Sequence, residues 1–291
     1  MTNIKTNYKY LLLLNDKNSI INDLFVEHIS CVGDIGDSSF IILDSGESMK
    51  KITMNNIIIS NSESNGPFIE LKGKGTELFI QNSVINNTVS YGPTIVNQSE
   101  MVNIFLSNFT FENNINKNKL DCGGLQFTNN INITINNSLF YNNISKNNGG
   151  AICLDNIVDA TLILDSNKFT KNHAVNGGAL YLENKNNISQ GDTKTTILFN
   201  NNIFNENDAL NFGGAIYSNY DKLYLANVSN NNITHNNAGV MGGGIYSPKH
   251  TEMTLFSLRE LKIMLEYDEE DDALDSRILG NICTFSYGIK K

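Results

Sequence analysis

Few side chains in this chain are spaced for chemistry. Asp155 and Glu183 each stand six residues beyond the first glycine of a Gly-Gly pair, Gly149 and Gly177. If those two segments stack one on the other, their carboxyls come close, and paired carboxylates are what glycoside hydrolysis uses. They are the catalytic candidates, set against a plainer reading as two acids on a solvated turn. A lyase would want an arginine or lysine base, yet both arginines, Arg259 and Arg277, lie near the C-terminus, so only lysine could serve. Of the four histidines, His173 and His235 fall in turn-like segments without partners at metal or triad spacing, and read as polar turn residues. No phosphate loop, dinucleotide fingerprint or nucleophile elbow is present, and the GKG at Gly73–Gly75 lacks the rest of a P-loop. The sequence thus calls for no metal and no cofactor. Tyr181, Tyr217 and Tyr246 form a further set, each four residues after the first glycine of a pair, with Phe127 and Cys153 in the equivalent slots.

These candidates are positioned by a repeat. The stretches DCGGLQF, NNGGAICL, VNGGALYL, NFGGAIYS and VMGGGIYS place glycines at Gly123, Gly149, Gly177, Gly213 and Gly242, spaced by 26, 28, 36 and 29 residues. Weaker copies occur at Gly66 and Gly92, with a further one at Gly36, making about eight. A second column holds the register independently: an apolar residue followed three positions later by asparagine. It comprises Ile58 with Asn61, Val84 with Asn87, Phe111 with Asn114, Phe140 with Asn143, Phe169 with Asn172, Phe204 with Asn207 and Ile233 with Asn236.

Between the columns lie short period-two segments such as ITMNN, LFIQN, IFLSN, ITINN and LILDS, which read as strands ending in turn formers. Asparagine, 49 of the 291 residues, suits turns and left-handed backbone. A unit of two or three such strands cannot bury its own apolar face, whereas stacked copies bury a continuous core. The expected fold is all-β: a parallel β-helix of about eight coils, with residues 1–35 as an N-terminal segment or partial first coil and 36–247 as the repeats. The glycines would turn the corners where coils crowd. Asn114, Asn143, Asn172, Asn207 and Asn236 would accept left-handed backbone and link coils through a side-chain amide ladder. Alternation lets one of two neighbouring columns point inward. Leu180, Ile216 and Ile245 are the expected inner column, leaving the tyrosines as an outer aromatic stripe able to stack on a sugar ring or a protein partner; an internal tyrosine stack is the other arrangement.

The pairing of GGA-I/L, at Gly149–Ile152, Gly177–Leu180 and Gly213–Ile216, with F-x-x-N, at Phe111, Phe140, Phe169 and Phe204, resembles the polymorphic outer membrane protein repeat of chlamydial surface autotransporters. The resemblance is strong over 105–247 and degenerate over 36–104. It implies a right-handed parallel β-helix related in architecture to pectin-lyase-like folds, displayed outside the cell and used in adhesion. A polysaccharide or a host or neighbouring-cell surface protein would be the partner. Two departures stand out: no signal peptide is recognisable, YKYLLLLNDKNS being too short an apolar run, and no series of C-terminal barrel strands follows.

After Pro248 the composition shifts. Leu258, Leu261 and Leu265 have helical spacing, so a capping helix is expected in 248–291, followed by the acidic run EYDEEDDALD and ILGNICTFSYG, a candidate further strand. A formal charge of −9 argues against nucleic-acid binding, and no segment is long and apolar enough to span a membrane. The four cysteines, Cys31, Cys122, Cys153 and Cys283, are scattered singly, compatible with one disulfide or none. Nine N-x-S/T sequons permit glycosylation without showing it, since so much asparagine makes about seven by chance. The function expected is a non-catalytic surface recognition module. A carbohydrate-active β-helix enzyme is the first alternative, and a structural spacer in a larger surface protein the second.

Overall fold

The computed structural model describes residues 1–33, 38–184, 195–220, 224–225, 230–248 and 282–283. Every ladder between its strands is parallel, and the strands wind into a solenoid of about eight coils. No helix occurs among the described residues. The capping helix and acidic run expected in 248–291 fall outside them, but Ile282–Cys283 is a strand and pairs with Asn237–Ala238. Residues of the 1–35 segment take part in the stack through Thr2–Thr6, Tyr10–Asn15, Ser19–Asn22 and Phe25–Cys31.

Each coil contributes to four ladders. One stacks the F-x-x-N strands: Leu139–Tyr141, Lys168–Thr170, Ile203–Asn205 and Asn232–Thr234 follow one another. The next takes the short strands after the asparagine, among them His173–Asn176, Asp208–Phe212 and Asn237–Ala238. A third holds the strands that follow the glycine pair, including Leu180–Asn184, Ile216–Ser218 and Ile245–Tyr246. The fourth holds the longer alternating strands, Lys50–Asn55, Gly75–Asn86, Met101–Glu112 and their successors.

Alternation sends one apolar column of each strand inward. Phe111, Phe140, Phe169 and Phe204 are fully buried and stack coil on coil, with ring centroids 6.2, 4.7 and 4.8 Å apart. Burying each such ring contributes roughly 2–3 kcal/mol.

The corners divide two jobs that the sequence assigned to one residue. The left-handed residue is the one before the ladder position, whether or not that position holds asparagine: His28, Asn61, Asn87, Asn113, Asn142, Lys171, Glu206 and His235 all have φ between 47° and 59°. The asparagine itself turns inward. Asn114, Asn143, Asn172, Asn207 and Asn236 form an unbroken chain in which each Nδ2 donates to the next Oδ1 at 2.9–3.1 Å. Each Nδ2 also donates to a backbone carbonyl one coil back, Phe111 O for Asn143 and Phe140 O for Asn172. Buried amides satisfied this completely escape the desolvation cost of burial. In the upstream copies the register differs from the sequence reading by one residue. Ile85, not Val84, pairs with Phe111, so Thr88 and not Asn87 joins the ladder, its Oγ1 donating to Asn114 Oδ1 at 2.6 Å.

A second amide ladder runs through Asn167, Asn202 and Asn231, with Ser138 preceding it. It was missed in the sequence, although its signal is present as N-x-F two residues before each buried phenylalanine, at Asn167 with Phe169 and Asn202 with Phe204.

The glycine pairs are needed for geometry. Gly177 has φ +61°, and a Cβ on Gly178 would collide with the carbonyl oxygen of Gly214 in the next coil.

Candidate functional site

The third ladder carries the candidates. Leu180 pairs with Ile152 and Ile216, and all three are fully buried, so the intervening residues Cys153, Tyr181 and Tyr217 project from the outer face. Two positions further along each strand, Asp155, Glu183 and Asn219 occupy a second outward row, fixed by the pairing of Leu154 with Leu182 and by Asn219 N donating to Leu182 O at 2.8 Å. The outer face therefore sets a tyrosine row beside a carboxylate row.

The first of these rows starts differently from the sequence reading. The Gly123 copy lacks one residue before its strand, so Gln126 pairs with Cys153, while Phe127 pairs with Leu154 and is buried in the core. Cys153 is joined to Cys122 by a disulfide, with Cα atoms 5.9 Å apart. The bond ties two adjacent coils, and Tyr181 packs on it with Tyr217 alongside. Cys31 is buried, and burial pushes its thiol up to about 11.

The rings face each other. Tyr181 and Tyr217 stack with centroids at 4.7 Å, Tyr217 and Tyr246 are tilted at 5.6 Å, and Phe212 stacks on Tyr246 at 4.7 Å. Tyr181 is only 7% exposed, whereas Tyr217 and Tyr246 are half-buried. The outer stripe is thus a self-packed column that shows solvent its ring edges and hydroxyls.

The electrostatics centre on Glu183. Its Oε2 accepts a 2.6 Å hydrogen bond from the Tyr181 hydroxyl. Burial raises the Tyr181 phenol well above its ordinary value, and the hydrogen bond to Glu183 adds to the shift. Tyr217 is raised by burial and then by the charge of Glu183. Asp155 is raised first by burial and then by Glu183 one coil away, partly offset by a backbone hydrogen bond from Asn156. The stack brings the two carboxylates into each other's field, as two acids six residues past aligned glycines should be.

His173 has a partner that sequence spacing could not show. Its Nδ1 lies 2.6 Å from Asp208 Oδ2, while Asn237 Nδ2 donates to Asp208 Oδ1 at 2.6 Å. The three occupy one outward row in successive coils, 35 and 29 residues apart. Among the described residues no group of three or more His, Cys, Asp or Glu side chains could hold a metal ion. Nor is any helix among them long and apolar enough to cross a membrane.

Residues 137–155 match the model of the Chlamydia polymorphic membrane protein (Chlamydia_PMP) repeat. The span runs from Asn137 through Phe140, ladder Asn143 and the Gly149 corner to Cys153 and Asp155, part of one coil of the solenoid. This chain carries a polymorphic membrane protein repeat. In the repeat unit the phenylalanine fills the interior, the asparagine links coils and the glycines turn the corner, so the motif is a folding signature rather than a reactive one. The polymorphic membrane protein repeat points to an outer-membrane or surface protein built on a β-solenoid. No curated protein and no solved structure matches the chain.

Proposed function

We propose that the chain is a non-catalytic surface module whose recognition face is the outer side of the glycine-pair ladder. The observation that carries this reading is the pair of rows there: Tyr181, Tyr217 and Tyr246 beside Asp155 and Glu183, outward on a sheet whose inward residues Ile152, Leu180 and Ile216 are fully buried. Sites on rigid elements hold their groups without an ordering cost on binding. Two further facts agree with display outside the cell. The polymorphic membrane protein repeat belongs to a surface family, and a disulfide such as Cys122–Cys153 persists in oxidising compartments. Adhesion, through a polysaccharide or a protein on another cell, is the activity that such a face and family would serve.

The purified chain should be captured by an array of surface glycans and glycoproteins, and Tyr217→Ala or Tyr246→Ala should weaken capture while far-UV circular dichroism stays unchanged. Capture that is indifferent to both substitutions would sink the proposal. The adjacent carboxylates favour one second reading, a carbohydrate-active enzyme with Asp155 and Glu183 in the acid and base or nucleophile roles. Polysaccharide cleavage abolished by Asp155→Asn or Glu183→Gln would establish it in place of the first.

A further inference from the structure

We propose that this face binds a basic protein segment, with Asp155 and Glu183 receiving a lysine or arginine side chain. The inference rests on the recognition reading above and names the chemistry of its ligand. A sugar platform needs a free ring face, because carbohydrate C–H groups pack on the π surface. Here those faces are occupied: Tyr181 and Tyr217 cover each other, Tyr246 lies against Tyr217, and Phe212 stacks on Tyr246. What remains for a partner is a line of ring edges and hydroxyls, with the carboxylates beside it.

Among the described residues neither Asp155 nor Glu183 forms an ion pair, although Glu70, Glu100 and Glu206 elsewhere on the solenoid each meet a lysine. Burial and mutual repulsion make the charged state of Asp155 unfavourable in the free protein. A cation would relieve both.

The spacing suits a guanidinium or ammonium group. Neighbouring coils are ~4.8 Å apart, so a planar fork with five N–H donors can meet the carboxylates of Asp155 and Glu183 together. The aliphatic stem of a lysine or arginine would then lie along the exposed edges of Tyr217 and Tyr246. Residues 1–247 contain no arginine, and the chain as a whole carries −9, which also favours a basic partner over an acidic one.

The test titrates the full chain with two probes, octa-arginine and neutral cellohexaose, by calorimetry at low and at physiological salt. Octa-arginine should bind with an affinity that falls as salt rises. The Asp155→Asn/Glu183→Gln double variant should lose about tenfold or more of it, the scale for losing a charge-assisted pair. A control with equal charge removed elsewhere, Glu112→Gln/Glu206→Gln, should bind like the native chain. An equal loss in both double variants would make the binding non-specific and overturn the proposal. If cellohexaose binds instead, and Tyr217→Ala weakens it, the recognition face stands and the basic ligand is overturned. If neither probe binds, the basic ligand is overturned, while the recognition face stands or falls with the capture experiment on Tyr217→Ala and Tyr246→Ala.

Discussion

Asn172 shows how one side chain holds three coils. Its Nδ2 donates to Asn207 Oδ1 at 3.0 Å and to Phe140 O at 2.9 Å, while its Oδ1 accepts from the Nδ2 of Asn143 at 2.9 Å. Asn172→Ala would leave the backbone N–H of Asn143 and one N–H of its Nδ2 without an acceptor, and would take a donor from Phe140 O and from Asn207 Oδ1, all in a dry interior, at roughly 1–3 kcal/mol per buried unsatisfied group. Urea denaturation should therefore show a loss of at least about 3 kcal/mol, whereas Asn142→Gly, at the left-handed corner one residue earlier, should be close to neutral. Asp155 behaves in the opposite sense. Its folded-state pKa is raised, so its charged form is less favourable in the fold than in the unfolded chain, and it subtracts stability at any pH above the ordinary aspartate range. Asp155→Asn should raise the urea midpoint at pH 7, by less than about 1 kcal/mol because the group is half exposed, and the gain should vanish near pH 3, where the native carboxyl is protonated in both states. A destabilising acid kept on an outer face is what a binding site would retain.

At the scale of the element, the glycine-pair strand was legible in its inner column and less so in its outer one. Alternation set Leu180 and Ile216 opposite Tyr181 and Tyr217 and favoured the aliphatic column inside without excluding the tyrosines; the structure buries Leu180 and Ile216. It could not show the rings packing against each other, because that follows from coil spacing and not from order along the chain. Nor could it detect that the Gly123 copy is one residue short, which moved Phe127 into the core and Gln126 into the outer row. The Cys122–Cys153 bond belongs to the same class of fact, since four scattered cysteines do not declare a pairing. It closes a loop of sequence separation 31, for which chain entropy gives roughly 3–4 kcal/mol. Reduction with dithiothreitol should lower stability by about that much. Non-reducing peptide mapping should recover Cys122 linked to Cys153, while Cys31 stays unreactive towards iodoacetamide until the protein unfolds.

The described residues form a rod of about eight coils, ~38 Å long at ~4.8 Å per coil. In such a stack each coil is stabilised by its neighbours, so stability is greatest where two flanking coils are present. The strands Thr2–Thr6, Tyr10–Asn15 and Ser19–Asn22 each pair on one side only among the described residues, and Tyr8 and Ile20 beside them are exposed. Hydrogen exchange followed by mass spectrometry should accordingly find the fastest exchange in residues 2–22 and the slowest in 102–170, where both amide ladders and the phenylalanine stack overlap. Uniform protection along the rod would contradict a nearest-neighbour account.

By itself the sequence determined the repeat, the parallel stacking it demands and the inward columns, because apolar alternation and glycine-turned corners recur with a period that one coil alone cannot use. The tertiary structure decided everything that depends on register between coils. It split left-handed backbone and amide ladder between adjacent residues, paired His173 with Asp208 and closed the disulfide. It also turned an aromatic stripe into a self-stacked column beside the carboxylates of Asp155 and Glu183. The physical reason is common to all of these: in a solenoid the neighbours that matter are one coil away, 26 to 36 residues along the chain, and a single inserted or missing residue changes which side chains meet.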